Sequence, residues 1–345
     1  MADKEYETGA AAADPGRLIA ILHGTWKARA LQVAAELGLA DLLAGGPRTV
    51  EQLAEATGTH APSLRRLLRA LAGIGVFAER DGGALVANSP LSEWLRTDRA
   101  GSVAAQARFQ GAPWNWRAWG ALPHSVRTGE TAFDQANGQS FWTLTGQDPA
   151  AAALFNGAMA DVSLRESADV AAGFDFGGAR TVVDVGGGLG CLLAAVLAAN
   201  PGLTGTLFER PAAAEEARRW LDGQDLGGRF DVVSGDFFDA VPAGADLYLL
   251  KRTLHDWSDE DALRILNTVR RAMKPDSRIL VIDSIPLPES SAVARFVDLL
   301  ILVLVPGFDR TIEQYRELLG KAGFAVRREL DTRSSALRLI EAGLS

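Results

Sequence analysis

Four stretches of this 345-residue chain carry side chains that could do chemistry together. Thr181-Val-Val-Asp-Val-Gly-Gly-Gly-Leu-Gly sets a carboxylate, Asp184, just before Gly186, Gly187, Gly188 and Gly190. Glu209 stands 19 positions past Gly190, and Ser234-Gly-Asp-Phe-Phe then supplies Asp236 and Phe237. His255 lies in Leu-His-Asp-Trp, just beyond the apolar run Leu247–Leu250. The glycines let a ligand come close to the backbone. A pyrophosphate is the wrong ligand for them. The Gly-x-Gly-x-x-Gly fingerprint fails in both frames, with Cys191 or Leu193 at the third glycine, and no Gly-Lys-Ser/Thr follows. Asp184 would repel a polyphosphate and suits a cationic amino group. Glu209 can accept hydrogen bonds from two ribose hydroxyls. Asp236 can accept one from an adenine amino group while Phe237 packs on the ring. An ammonium, a ribose and an adenine without phosphates describe S-adenosylmethionine.

His255 is the candidate general base for such a donor. An ordinary imidazole titrates near ~6.5 and is available neutral at physiological pH. His23, His60 and His124 stand in regions with no other chemical signature. No cluster of acids with metal spacing is visible around His255, so no catalytic metal is expected.

The elements that must position these residues are legible from periodicity. Strands are expected over 181–185, 204–209, 230–234, 245–251 and 278–283, with helices around 191–199, 211–221 and 259–273. This alternation gives a parallel, doubly wound α/β sheet with its site outside the carboxyl ends of the strands. A helix over 311–322 and a closing antiparallel pair, 325–330 and 336–340, follow. Residues 1–14 read as a loose tail. Residues 17–44 read as helices, a further helix is capped by Thr49 with Gln52, and Ser63–Leu71 forms another. A hairpin over 76–86, closed by Asp81-Gly-Gly, completes a winged-helix pattern. Arg65, Arg66 and Arg69 raise the alternative of a DNA-binding regulator. The formal net charge of −8 argues against nucleic acid and anionic membranes, and reuse of the winged helix as a dimer interface is favoured.

Composition excludes other classes. A single cysteine, Cys191, rules out a disulfide framework and a multi-cysteine zinc site, and reads as a small buried residue. The first residues form no apolar run, and Leu299–Val305 is too short to span a bilayer, so a cytoplasmic protein is expected.

With these motifs in view, the chain resembles the cation-independent small-molecule O-methyltransferases related to plant caffeate and flavonoid enzymes, including their bacterial natural-product branch. The most specific stretch is Asp246-Leu-Tyr-Leu-Leu-Lys-Arg-Thr-Leu-His-Asp-Trp-Ser-Asp-Glu-Asp-Ala, joined by the glycine loop and Gly235-Asp-Phe-Phe. The resemblance implies a class I methyltransferase fold, a Rossmann-like seven-stranded sheet, behind an N-terminal winged-helix dimerisation domain. The expected division is 15–105 for dimerisation, 106–175 for a helical linker and substrate-pocket segment, and 176–345 for the S-adenosylmethionine-binding domain. It further implies that Asp184, Gly186, Gly188, Glu209, Asp236, Phe237, Lys251 and Ser163 hold the cofactor. His255 would take the proton of an aromatic hydroxyl, oriented by Asp283 and Asp309. The plant enzymes carry glutamate at those two positions. Aspartate is one methylene shorter, so the backbone must come closer or water must bridge. Asp256 follows the histidine and reads as a helix cap or a substrate contact. Trp114 or Trp116, Phe141, Trp142, Phe155, Met159 and the Leu299–Phe308 segment would line a pocket for a small planar aromatic. The expected activity is O-methylation in secondary metabolism such as antibiotic biosynthesis, by a homodimer. N- or C-methylation, or chemistry without methyl transfer, is the alternative.

Overall fold

A computed structural model describes residues 14–99, 101–286, 292–332 and 337–345. The expected tail lies, except for Asp14, outside the described residues. The chain divides into two compact units, one ending at Trp116 and one running Arg117–Ser345.

The first unit contains α1 (Pro15–Glu36), α2 (Leu39–Leu42), α3 (Val50–Thr57), α4 (Ala61–Ala72), the hairpin β1 (Phe77–Arg80) and β2 (Leu85–Asn88), and α5 (Ala104–Gly111). Asp14 Oδ1 caps α1 by accepting from Gly16 N, and proline fills its first position. Thr49 and Gln52 form a reciprocal capping box on α3, which ends at left-handed Gly58. On α4, Leu64, Leu68 and Leu71 repeat on one face and are buried with Leu39, Leu53 and Phe77. Arg65, at the border of that face, is paired with Glu51. One of the three arginines behind the DNA-binding alternative is therefore engaged within the unit. On α1, Leu18, Ile19, Ile21, Leu22 and Trp26 remain exposed. α6 (Pro113–Gly120) runs through the division between the units. Trp114 is buried and meets Phe109 edge to face at 5.5 Å, while Trp116 Nε1 donates to Gln32. Both tryptophans thus have packing roles within the first unit.

The second unit opens with α7 (Leu122–Thr128), α8 (Ala132–Asn137), α9 (Phe141–Gln147) and the long α10 (Pro149–Gly173). β3 (Thr181–Val185), α11 (Cys191–Ala199), β4 (Thr204–Glu209), α12 (Pro211–Asp222), β5 (Phe230–Ser234), β6 (Leu247–Lys251), α13 (Asp259–Ala272) and β7 (Arg278–Ser284) follow in alternation. α14 (Ala292–Leu304), α15 (Ile312–Lys321), β8 (Phe324–Asp331) and β9 (Leu337–Leu344) complete it. The strands form one sheet of seven in the order β5-β4-β3-β6-β7-β9-β8. Every neighbouring pair is parallel except those made by β9, which runs against both β7 and β8. This is the class I methyltransferase sheet expected from the sequence. The start expected for the last strand, Ala336, lies outside the described residues.

Both faces of the sheet are covered. Along β6, Leu247 and Leu249 enter one core with Leu193 and Leu197 of α11. Tyr248 and Leu250 enter the other with Ile265 and Leu266 of α13. The near-continuous apolar run of a parallel strand follows from that double burial. Cys191 is buried at the start of α11, and burial pushes its thiol up to about 11, so it packs as a small apolar residue. No helix among the described residues is long and apolar enough to cross a membrane. The strand order turns back between β3 and β6, which opens a crevice at their carboxyl ends. The glycine loop leaves β3 there, and the segment carrying His255 leaves β6.

Candidate active site

The glycine loop leaves β3 with Gly186, Gly188 and Gly190 all in the left-handed region, at φ of 69°, 60° and 82°. Such angles are unstrained only for glycine. Gly187 is required for space, since a Cβ there would overlap the Asp184 carboxylate and a Leu207 methyl. Asp184 itself is fully buried, and neither of its carboxylate oxygens has a hydrogen-bond partner. Burial pushes it up to about 7, although the Lys251 ammonium pulls the other way. A buried carboxylate without a donor suits a cationic or N–H-donating ligand at this loop.

Glu209, at the end of β4, is tied to the same loop. Its Oε2 accepts from Gly188 N at 3.0 Å and its Oε1 from Arg210 N at 2.8 Å. Asp236, after β5, is exposed and closes its own turn by accepting from Phe238 N at 2.8 Å. The Phe237 ring lies beside Gly186, 3.5 Å from where a Cβ would stand, so the β3 and β5 loops converge.

Lys251 ends β6, and its ammonium is almost entirely enclosed. It meets Glu166 Oε2 at 2.9 Å and donates to Ser163 Oγ at 3.2 Å. Glu166 also holds Arg252 through two bonds, Nη2–Oε1 at 2.7 Å and Nε–Oε2 at 3.1 Å. Burial disfavours the Glu166 anion, yet the Arg252 and Lys251 charges outweigh it and hold the carboxyl at about 2. Arg252 is one of two described non-glycine residues with positive φ, at 51°. Glu166 escaped the sequence analysis. Its signal was the Ser163-x-x-Glu166 spacing, which puts both side chains on one face of α10.

His255 sits in a single turn of 3-10 helix, Leu254–Asp256, and is buried. Its Nδ1 faces two carboxylates at once, Asp283 Oδ1 at 3.1 Å and Asp309 Oδ1 at 3.2 Å. Both aspartates therefore reach the ring directly. Asp283 is anchored in turn by Tyr315, whose hydroxyl donates to Oδ2 at 2.7 Å. Burial and the neighbouring Asp283 charge raise the Tyr315 pKa well above its ordinary value, so it stays a donor.

Asp256 corrects an expectation. Ser258 caps α13, accepting from Asp261 N, and Asp256 instead turns its Oδ1 to 3.5 Å from His255 Nε2. Adjacent residues in a tight 3-10 turn can converge where those of a strand cannot. Burial lifts Asp256 to about 6. Burial also opposes charge on His255, but the Asp283 and Asp256 carboxylates and the Asp309 hydrogen bond prevail and hold the imidazole up at about 9. In the ligand-free protein the ring is thus held mostly protonated at neutral pH, with Nδ1 facing Asp283 and Asp309 and Nε2 facing Asp256.

A second correction concerns metals. Donor atoms of His255, Asp283 and Asp309 lie within 4.8 Å of one another, which is ligand spacing. The residues are far apart in the chain, so linear spacing could not show the cluster.

An aromatic wall stands over this crevice. Trp142 of α9 stacks on Trp257 at 5.5 Å and 15°, and meets Phe155 of α10 edge to face at 5.7 Å. Phe141 is buried behind both. Trp257 touches Phe237 and Phe238 edge to face, so the wall is continuous with the β5 loop. Met159 is half-buried on α10. Trp257, two residues after His255, was not singled out from the sequence, although its aromatic type and position beside the base were visible.

Comparison with known proteins places this geometry. Residues 119–325 match the family described as the O-methyltransferase domain, and residues 19–98 match the O-methyltransferase dimerisation domain. The mitomycin biosynthesis 6-O-methyltransferase of Streptomyces lavendulae is 54% identical over 97% of this chain and 96% of its own length. A solved mitomycin 7-O-methyltransferase superposes with a TM-score of 0.91 at 53% identity, covering 97% of this chain and 98% of that one. An O-methyltransferase from neocarzinostatin biosynthesis, solved with S-adenosylmethionine and 2-hydroxy-5-methyl naphthoic acid, gives 0.81 at 36% identity, covering 97% and 100%.

Proposed function

This chain belongs to the O-methyltransferase family, and from that membership we propose that it methylates a phenolic hydroxyl of a planar aromatic intermediate, with His255 as general base. It is an S-adenosylmethionine-dependent O-methyltransferase of natural-product biosynthesis. The observation that carries the finer reading is the environment of His255: Asp283 and Asp309 face Nδ1, and Nε2, with Asp256 beside it, is the atom that takes the proton once the ring is neutral.

When bound, S-adenosylmethionine supplies an activated methyl on a sulfonium. The residues present fit it. Asp184 offers a buried, unpartnered carboxylate, Gly186–Gly188 admit close backbone approach, and Glu209 and Asp236 present acceptors at successive strand ends. Phe237 stands beside them for the adenine, and Lys251 with Ser163 closes the β6 side. The aromatic wall of Phe141, Trp142 and Phe155, with Met159, orients a flat acceptor and excludes water. His255 Nε2 takes the hydroxyl proton as the oxygen attacks. The ring is then an imidazolium, which Asp283 and Asp309 stabilise at Nδ1. Asp256, beside Nε2, contacts the acceptor hydroxyl. In this reading residues 15–105 dimerise, 106–175 build the pocket segment and 176–345 bind the cofactor, in a cytoplasmic homodimer.

The test is His255→Ala, with cofactor binding measured by calorimetry and turnover measured on phenols. A general base contributes ~100-fold or more, so turnover should fall by at least that factor while binding persists. Turnover within a few-fold of wild type overturns the assignment.

A further inference from the structure

His255 stands on one turn of 3-10 helix, held internally by two long bonds, Asp256 N to Thr253 O and Trp257 N to Leu254 O, both 3.3 Å. So short a turn cannot fix an imidazole by itself. Asp283 holds the ring from β7, and further ties to the turn come from residues 307–310.

Three of them converge there. A Cβ at Gly307 would overlap the carbonyl of His255, so that backbone presses directly on the turn. Asp309 reaches His255 Nδ1. Arg310 is wholly buried, and its guanidinium grips the turn from both sides. Nη1 donates to Leu254 O at 2.8 Å, just before the histidine, and Nη2 to Trp257 O at 2.8 Å, just after it. Nε donates to Asp259 Oδ1 at 2.9 Å, which ties the fork to the start of α13. The charge also lies 4.4 Å from the Phe308 ring centroid. A rigid planar fork can satisfy these separate acceptors at once, and a single ammonium cannot.

We propose that Arg310 is a positioning residue for His255: it clasps the histidine turn to the segment that carries Asp309 and so sets the direction of the base. The proposal rests on the reading of His255 as base. The Arg310 guanidinium bonds Leu254 O, Trp257 O and Asp259 Oδ1, and it acts through the two carbonyls that flank the histidine.

The test compares Arg310→Lys, Arg310→Ala, Asp259→Asn and His255→Ala. Arg310→Lys keeps the charge and loses the fork. Its kcat should fall about 30-fold or more, on the scale set by small displacements of a catalytic group, with cofactor affinity within about threefold. Added guanidinium should restore at least tenfold of the lost rate in Arg310→Ala, and an alkylammonium should not. Asp259→Asn should stay within about threefold of wild type, since the bonds to both carbonyls remain. The His255 side-chain nitrogen resonances should broaden or shift in Arg310→Lys. If Arg310→Ala fails to fold, Arg310→Lys and those resonances decide. Arg310→Lys within threefold of wild type, beside an inactive His255→Ala, overturns the positioning role alone. An active His255→Ala overturns the base reading beneath it.

Discussion

Replacing Asp283 by asparagine should move the titration of His255. The imidazole stands at about 9, above its ordinary ~6.5, because its carboxylate neighbours outweigh the opposing effect of burial. After burial, which acts the other way, Asp283 at 3.1 Å is the largest influence and the first that raises the value. Its loss therefore lowers the imidazole toward its ordinary value. At pH 7 the neutral fraction then grows. The plateau rate should nonetheless fall ~10- to 100-fold, because the base is weaker and has lost an orienting partner. The assay is a nitrogen-15 titration of the cofactor-free protein. The chain has four histidines, and His255→Ala identifies the signal. The pH profile of kcat/KM for S-adenosylmethionine runs beside it, since that ratio reports the free enzyme. An acceptor phenol also titrates in this range, but its pKa cannot move with a protein substitution. A His255 that titrates at or below 6.5 in the wild type, or that is unmoved in Asp283→Asn, refutes the reasoning.

Other outcomes follow from the same geometry. His255 gains a proton affinity on folding, so its contribution to stability is full below ~6.5 and is lost as pH rises through about 9. Wild-type melting temperature should fall across that window more than that of His255→Ala. Asp184 is also raised, to about 7, so the cofactor-free fold loses stability as pH climbs from ~3.9 to 7. Asp184→Asn should raise the melting temperature at pH 8 by a worth of up to about 4 kcal/mol, yet weaken cofactor binding at least tenfold by calorimetry. Glu166→Gln removes the anion shared by Lys251 and Arg252, and should cost ~3–5 kcal/mol in denaturant unfolding, as when one partner of a buried ion pair is lost. Dialysis against a chelator should leave turnover within twofold, because His255 serves as a proton acceptor. A loss restored by a divalent cation would instead assign the His255–Asp283–Asp309 cluster to a metal.

Much of the fold was legible because the central parallel strands β3, β6 and β7 are buried on both faces, while β5 is an exposed edge strand. Thr181–Val185, Thr204–Glu209 and Phe230–Ser234 are apolar or β-branched runs bounded by Gly, Pro or Asp, and their ends agree with the sequence expectation. The strand expected over 245–251 begins at Leu247, because Ala245 and Asp246 still belong to the approach. There Asp246 accepts from Arg180 N and Thr181 N. The acids at successive strand ends were readable for the same reason, since each follows a strand whose end was clear. The convergence on His255 was not. Asp283 and Asp309 reach the ring, and Tyr315 reaches Asp283, from three separate elements, and no linear spacing encodes that meeting. Glu166 and Arg310 escaped because an isolated acid or arginine resembles a solvated one until burial is known. The cap expected at Asp256 is supplied by Ser258 instead, two residues on.

The central claim is that this chain moves a methyl group to an aromatic oxygen with His255 taking the proton. Its most direct test is incubation of wild type and His255→Ala with methyl-labelled S-adenosylmethionine and a panel of phenols, with the methyl located by mass spectrometry. The account predicts label on oxygen in the wild type, and at least 100-fold less in the variant at matched cofactor occupancy. Label on nitrogen or carbon alone, or a variant within a few-fold of wild type, would contradict it.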